Sequence, residues 1–155
     1  MPERPRPKMI LIAGPYRSGT NDDPELLARN VQFMESFALP IFRAGHVPVI
    51  GEWFALPLVQ LAGSAKIGDE PFNEIFHPIA IRLVESCDAI LRVGGPSTGA
   101  DEMVRVGREL GLEIYSGLDE VPGSDDGLIH SLSRQQKRPG GQARPSEMET
   151  KIRSF

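Results

Sequence analysis

Residues 86–112, SCDAILRVGGPSTGADEMVRVGRELGL, compress a strand, a tight turn and a helix into one short stretch. Ala89, Ile90, Leu91 and Val93 form an apolar run with almost no polar relief, the pattern of a strand covered on both faces in a parallel sheet. Gly94, Gly95 and Pro96 make the chain turn, and Ser97 and Thr98 are N-cap residue types. Ala100, Met103, Val104, Gly107 and Leu110 then recur at helical spacing, with Gly111 as a stop. A helix that opens at the carboxyl end of a parallel strand points unpaired N–H groups and a partial positive charge into the adjoining crevice. Asp101 and Glu102 lie in the first turn of that helix. The junction therefore offers an anion cradle beside a candidate nucleophile or base.

The same arrangement opens the chain. Met9, Ile10, Leu11, Ile12 and Ala13 read as a first buried strand, ending in Gly14, Pro15, Tyr16, Arg17, Ser18, Gly19 and Thr20. Loops in that position line the ligand crevice of open α/β sheets. Arg17 suits bidentate binding of a phosphate or carboxylate, with the Ser18 and Thr20 hydroxyls beside it. Asn21, Asp22, Asp23 and Pro24 then start a helix. Its period runs through Leu26, Leu27, Val31, Met34, Phe37 and Ala38 to Pro40, expected to kink or end it, and residues 41–44 add a last turn.

Residues 46–50 read as a second strand, in which His46 is a turn or strand-start residue and Pro48 favours an end or edge. Residues 52–62, with Pro57 in the middle, fit a broken helix, a lid or a subunit contact, and 63–70 a polar loop. From Pro71, Phe72, Ile75, Phe76, Ile79, Leu83 and Val84 set out an amphipathic helix despite Pro78, with His77 structural or on the surface. Residues 113–116 form a further strand. The alternation implies a single α/β domain, flavodoxin-like or Rossmann-like, with a parallel sheet and helices on both faces. Its expected extent is 8–136, including one helix within 126–136, between a disordered lead-in at 1–7 and a flexible tail at 137–155.

At 155 residues the chain is long enough for one core, and a formal charge of -4 argues against a nucleic-acid partner. Cys87 is the only cysteine, which excludes a disulfide or multi-cysteine zinc site and reads as a buried structural thiol. No run approaches the ~20 apolar residues of a membrane span, and the opening MPERPRPK has no apolar signal core. The expectation is a cytoplasmic protein with no membrane partner and no metal. Neither glycine loop supplies the G-x-G-x-x-G dinucleotide fingerprint or the P-loop lysine, so the 94–99 turn suits a smaller anion. The segment Gly95-Pro96-Ser97-Thr98-Gly99 also fits G-x-S-x-G, the elbow of serine hydrolases. Against that stand Pro96, which removes a backbone donor, and a supply of later histidines limited to His130.

An opening strand ending Ile-Ala-Gly-Pro-Tyr-Arg, a Cys-Asp-Ala-Ile strand and a Ser-x-Gly-x-x-Glu turn into a helix resemble, in order and spacing, the nucleoside 2-deoxyribosyltransferase-like superfamily. This superfamily includes the deoxynucleoside 5'-monophosphate N-glycosidases, and the resemblance covers roughly residues 9 to 122. It implies a small-molecule partner, a nucleoside or nucleotide, whose glycosidic bond is cleaved or transferred without a cofactor. It makes Glu102 the nucleophile on the anomeric carbon, with Asp101 the other candidate. Ser97, Thr98 and Gly99, together with Gly14, Tyr16, Arg17 and Ser18 of the first loop, would hold the sugar-phosphate end, and Asp88 matches a family aspartate. It also implies a homo-oligomer, dimer or tetramer, here through the Trp53 and Phe54 region. Two departures stand out: one residue fewer between Ser97 and Glu102, and Ala80 where the family often carries an aspartate. The alternative from another class is a non-catalytic nucleotide-binding or sensing domain.

Overall fold

The computed structural model describes residues 6–124. Within them lie β1 (Met9–Ala13), α1 (Pro24–Glu35), α2 (Ala38–Arg43), β2 (Val47–Ile50), α3 (Gly51–Leu61), α4 (Glu70–Ser86), β3 (Ala89–Arg92), α5 (Thr98–Glu109) and β4 (Glu113–Tyr115). The four strands are parallel, in the order β2-β1-β3-β4. The expected helix within 126–136, the tail and the first five residues of the lead-in fall outside the described residues.

Strand alternation sorts the apolar side chains into two cores. Ile10, Ile12, Ala89 and Leu91 face α1 and α2, meeting Met34, Phe37 and Ile41. Leu11, Ala13 and Ile90 face α4 and α5, meeting Val84, Ala100 and Val104. Helices therefore cover both faces of a single sheet, as the unrelieved apolar runs require. Each fully buried Ile or Leu contributes on the order of 1.5–3 kcal/mol by leaving water. Gly107 lets α5 close on the sheet, since a Cβ there would come 2.5 Å from Ile90 Cδ1.

Three local differences from the sequence reading have clear causes. The first helix stops at Glu35, not at Pro40, and the Ser36 hydroxyl takes up the Phe33 carbonyl, one of its last acceptors, at 2.6 Å. A new helix starts at Ala38, so Pro40 lies in a first turn where its missing N–H has no partner to lose. Residues 51–61 form one helix through Pro57, which packs chiefly on α4. Asp69 caps α4 from the preceding loop, accepting the Phe72 N–H at 3.0 Å and the Ser64 hydroxyl at 2.7 Å.

The amino end of the sheet is laced by backbone-directed polar groups. Asp88 accepts the Met9 N–H at 2.8 Å. His46 is buried: its Nδ1 accepts the Lys8 N–H at 3.0 Å, which leaves Nε2 as the donor to the Pro122 carbonyl at 2.7 Å. His46 is thus a structural residue. Cys87, which precedes Asp88, is buried, and burial pushes its thiol up to about 11, so it stays protonated.

Candidate functional site

The strand order reverses direction between β1 and β3, and the loops after these two strands flank the crevice at the carboxyl edge. The two loops touch. Gly94 has φ +78, and a Cβ there would come 2.7 Å from Pro15 Cδ and 3.1 Å from the Phe33 ring. Gly14 is packed as closely under Val93. Gly94→Ala combines an unfavourable left-handed backbone with a collision against two rigid rings. It is expected to cost about 2–4 kcal/mol in urea unfolding.

Arg92, at the end of β3, holds the turn in shape. Its guanidinium donates to the Val93 carbonyl, to the Gly95 carbonyl at 2.8 Å, and through Nε to Asp101 Oδ1 at 3.1 Å. Of the two candidate carboxylates, Asp101 is therefore the outer arm of a clamp on the turn. Ser97 is buried, and its hydroxyl caps α5 by accepting the Ala100 N–H at 3.1 Å. Thr98 and Gly99 begin the helix, where backbone N–H groups lack helical acceptors, and open space surrounds the Gly99 Cα. These two amides and the helix dipole are the groups that an anion at this helix end would meet.

Glu102 lies just beyond it. Arg105 donates to its Oε1 at 2.8 Å, and the hydrogen bond, the Arg105 charge and His77 on α4 hold the carboxyl below its ordinary range. Glu102 is ionised at neutral pH and remains about 40% exposed.

From the β1 side, buried Tyr16 stacks on Phe76 with ring centroids 5.1 Å apart, and Phe76 stacks on Phe72 at 4.6 Å. Burial, then the nearby Glu52, push the Tyr16 phenol up. Arg17 leans over the Phe72 ring, 5.7 Å from its centroid, and is held by Asp22 through Nε at 3.0 Å and Nη2 at 3.1 Å. Its partners lie on its own loop and on α4, and no described contact joins it to the 94–99 turn. Asp22 reaches Arg17 from a left-handed backbone, φ 58, after Asn21 at φ 48. Asp22→Asn keeps a residue that tolerates this backbone and releases the guanidinium. Inorganic phosphate, measured by calorimetry, is expected to bind roughly 3–10-fold more tightly, with little change in the thermal midpoint.

The remaining sequence candidates divide clearly. Ser18 is exposed on the β1 loop. Asp88 does not belong to the site: it sits at the amino end of β3, and about 13 Å of strand separates that end from the crevice. Its match to a family aspartate is a match in sequence alone. The elbow reading of Ser97 loses its chemistry, because the hydroxyl serves as a helix cap and His46 is bound at the opposite end of the sheet. His130 lies outside the described residues.

An open cavity of about 630 Å³ adjoins this edge, lined by Tyr16 and Asp22, by Leu27 and Val31 of α1, by Leu56 of α3 and by Lys66. Glu52, in the first turn of α3, is only 7% exposed, and burial pushes its carboxyl up to about 7. The sequence reading missed it. The signal was an acidic residue directly after the second strand, in the position where crevice loops begin, hidden by the apolar and aromatic run that follows. Phe72 and Phe76 were read as core alone, and they also carry Tyr16 and Arg17. Among the described residues no group of three His, Cys, Asp or Glu suits a metal ion, and no helix is long and apolar enough to cross a membrane. No protein-family model, curated protein or solved structure matches the chain.

Proposed function

We propose that the protein binds a nucleoside or nucleoside 5'-monophosphate in this crevice and cleaves or transfers its N-glycosidic bond, with Glu102 as nucleophile. The observation that carries the reading is an ionised Glu102 one turn inside α5, whose open first amides face the switch point of the sheet. A carboxylate oxygen attacks the anomeric carbon while the bond to the base nitrogen breaks and the base takes the electron pair. The sugar passes through an oxocarbenium-like state that the negative charge stabilises. Water, or a second base in a transfer, then releases the sugar from Glu102. The Thr98 and Gly99 amides suit the phosphate of a 5'-monophosphate, which fixes the sugar and supplies rate by orientation. The cavity beside Tyr16 has the size and apolar lining that suit a base.

The test is release of free base from a panel of ribo- and deoxyribonucleosides and their 5'-monophosphates. Release from any member supports the reading. Tight nucleotide binding with no release favours the second reading, a non-catalytic nucleotide-binding domain. One observation favours that alternative: Arg105 engages Glu102, as Arg92 does Asp101, so both acids have partners.

A further inference from the structure

We propose that Glu52 is the general acid and base of the reaction, donating a proton to the departing base and recovering it from the incoming water. The assignment rests on the glycosidase reading above and supplies what that reading lacks. The one-carboxylate mechanism leaves the base to depart as an anion, which is a poor leaving group at neutral pH.

Four features of Glu52 converge on the role. It opens α3 directly after β2, so it stands on the same carboxyl edge as the β1 and β3 loops. Its side chain is more than nine-tenths buried, and apart from its own N–H no described group hydrogen-bonds it. Leu56, one helical turn on and on the same helix face, lines the cavity of about 630 Å³. Tyr16, the ionisable group on which the Glu52 charge acts, lines it too. Glu52 therefore lies behind the wall of this cavity, next to two of the residues that line it. A buried acid without a partner costs stability, and such groups concentrate where a proton is moved.

The surroundings leave its proton affinity to burial. No arginine, lysine or histidine of α4, the helix packed most closely on α3, bears on it. From the β1 loop the facing group is Tyr16, itself influenced by Asp22 and Arg17, and from α1 Glu35 is held by Trp53 Nε1 at 3.0 Å. The carboxyl is pushed up to about 7, so near neutral pH it is half protonated and can both give and take a proton. The ends of β2 and β3 lie two strand spacings apart, about 10 Å, with the end of β1 and its loop between them.

In the first half-reaction the Glu52 proton goes to a ring nitrogen of the base as the glycosidic bond breaks and Glu102 bonds to the sugar. In the second, the Glu52 carboxylate takes a proton from water, the water oxygen bonds to the anomeric carbon, and Glu102 leaves as a carboxylate. Atoms and charges balance with no further reactant.

The experiment compares two 5'-monophosphates, one carrying an ordinary purine and one carrying 7-methylguanine, which departs without needing a proton. In single-turnover base release, Glu52→Gln is expected to slow the ordinary purine by about 100-fold or more and the 7-methylguanine substrate by less than about tenfold. In the wild type, single-turnover base release from the ordinary purine should fall as pH rises through about 7, while release from the methylated substrate stays flat. This profile needs no variant to fold. Equal losses on both substrates, or parallel pH profiles, overturn the role of Glu52 while leaving the glycosidase reading intact. Release from neither substrate by the wild type overturns both.

Discussion

Glu102→Gln is expected to lower base release by about a thousandfold or more, with nucleotide affinity held within a few-fold. The substitution keeps the shape and removes the charge that stabilises and traps the sugar. Binding should survive because the elements proposed to hold the anion are elsewhere. The Thr98 and Gly99 amides are backbone groups, the Ser97 cap on Ala100 is untouched, and the Arg92 clamp to Asp101 and Gly95 keeps the turn in place. Arg105 retains Glu109, to which it donates at 2.8 Å, so it stays ordered. The check is single-turnover base release beside calorimetric binding of the same nucleotide. An unchanged rate would remove Glu102 from the chemistry, and a parallel loss of binding would make it a binding residue.

Glu52→Gln is expected to stabilise the protein in alkali and not in acid. The Glu52 carboxyl moves from an ordinary 4.5 to about 7 on folding because burial penalises its charge. The folded state then holds the proton more tightly than the unfolded chain does. The associated stability is fully present below about pH 4.5 and is lost as pH rises to about 7. Above that, the wild type carries a buried charge worth about 3 kcal/mol, from ~1.4 kcal/mol for each pH unit of displacement. Glutamine carries no such charge. Urea unfolding at acid, neutral and alkaline pH should show the variant gaining up to about 3 kcal/mol over the wild type in alkali, with the gain vanishing below about pH 5. A gain independent of pH would mean that Glu52 is not buried as a titrating group.

The α/β architecture was legible because burial on both faces writes itself as unbroken apolar runs. Ile10 to Ile12 and Ala89 to Leu91 could belong only to inner strands, and β1 and β3 are the two central ones. The cap at Ser97 and the helix after it were legible for a similar reason, since both depend on local chemistry. What escaped depended on contacts distant in sequence. Pro40 reads as a breaker unless Ser36 is known to end the helix first. The carbonyls that Arg92 clamps belong to the turn after its strand, so this role depends on how that turn folds. Asp88 reads as a site residue by motif, and only strand direction shows that it faces the wrong end of the sheet. Glu52 carries no motif at all. Its distinction is burial without a partner, which no local pattern encodes.

The proposed reaction stands on one covalent bond, between a sugar carbon and Glu102. It is tested most directly by incubating the protein with a 2'-fluorinated arabinonucleoside 5'-monophosphate, whose fluorine slows release of a glycosyl ester, and mapping the adduct by peptide mass spectrometry. The expected result is release of the base and a sugar-phosphate mass on the peptide that contains Glu102, absent from Glu102→Gln. Base release with the adduct on another residue, or with the same adduct in Glu102→Gln, would contradict it.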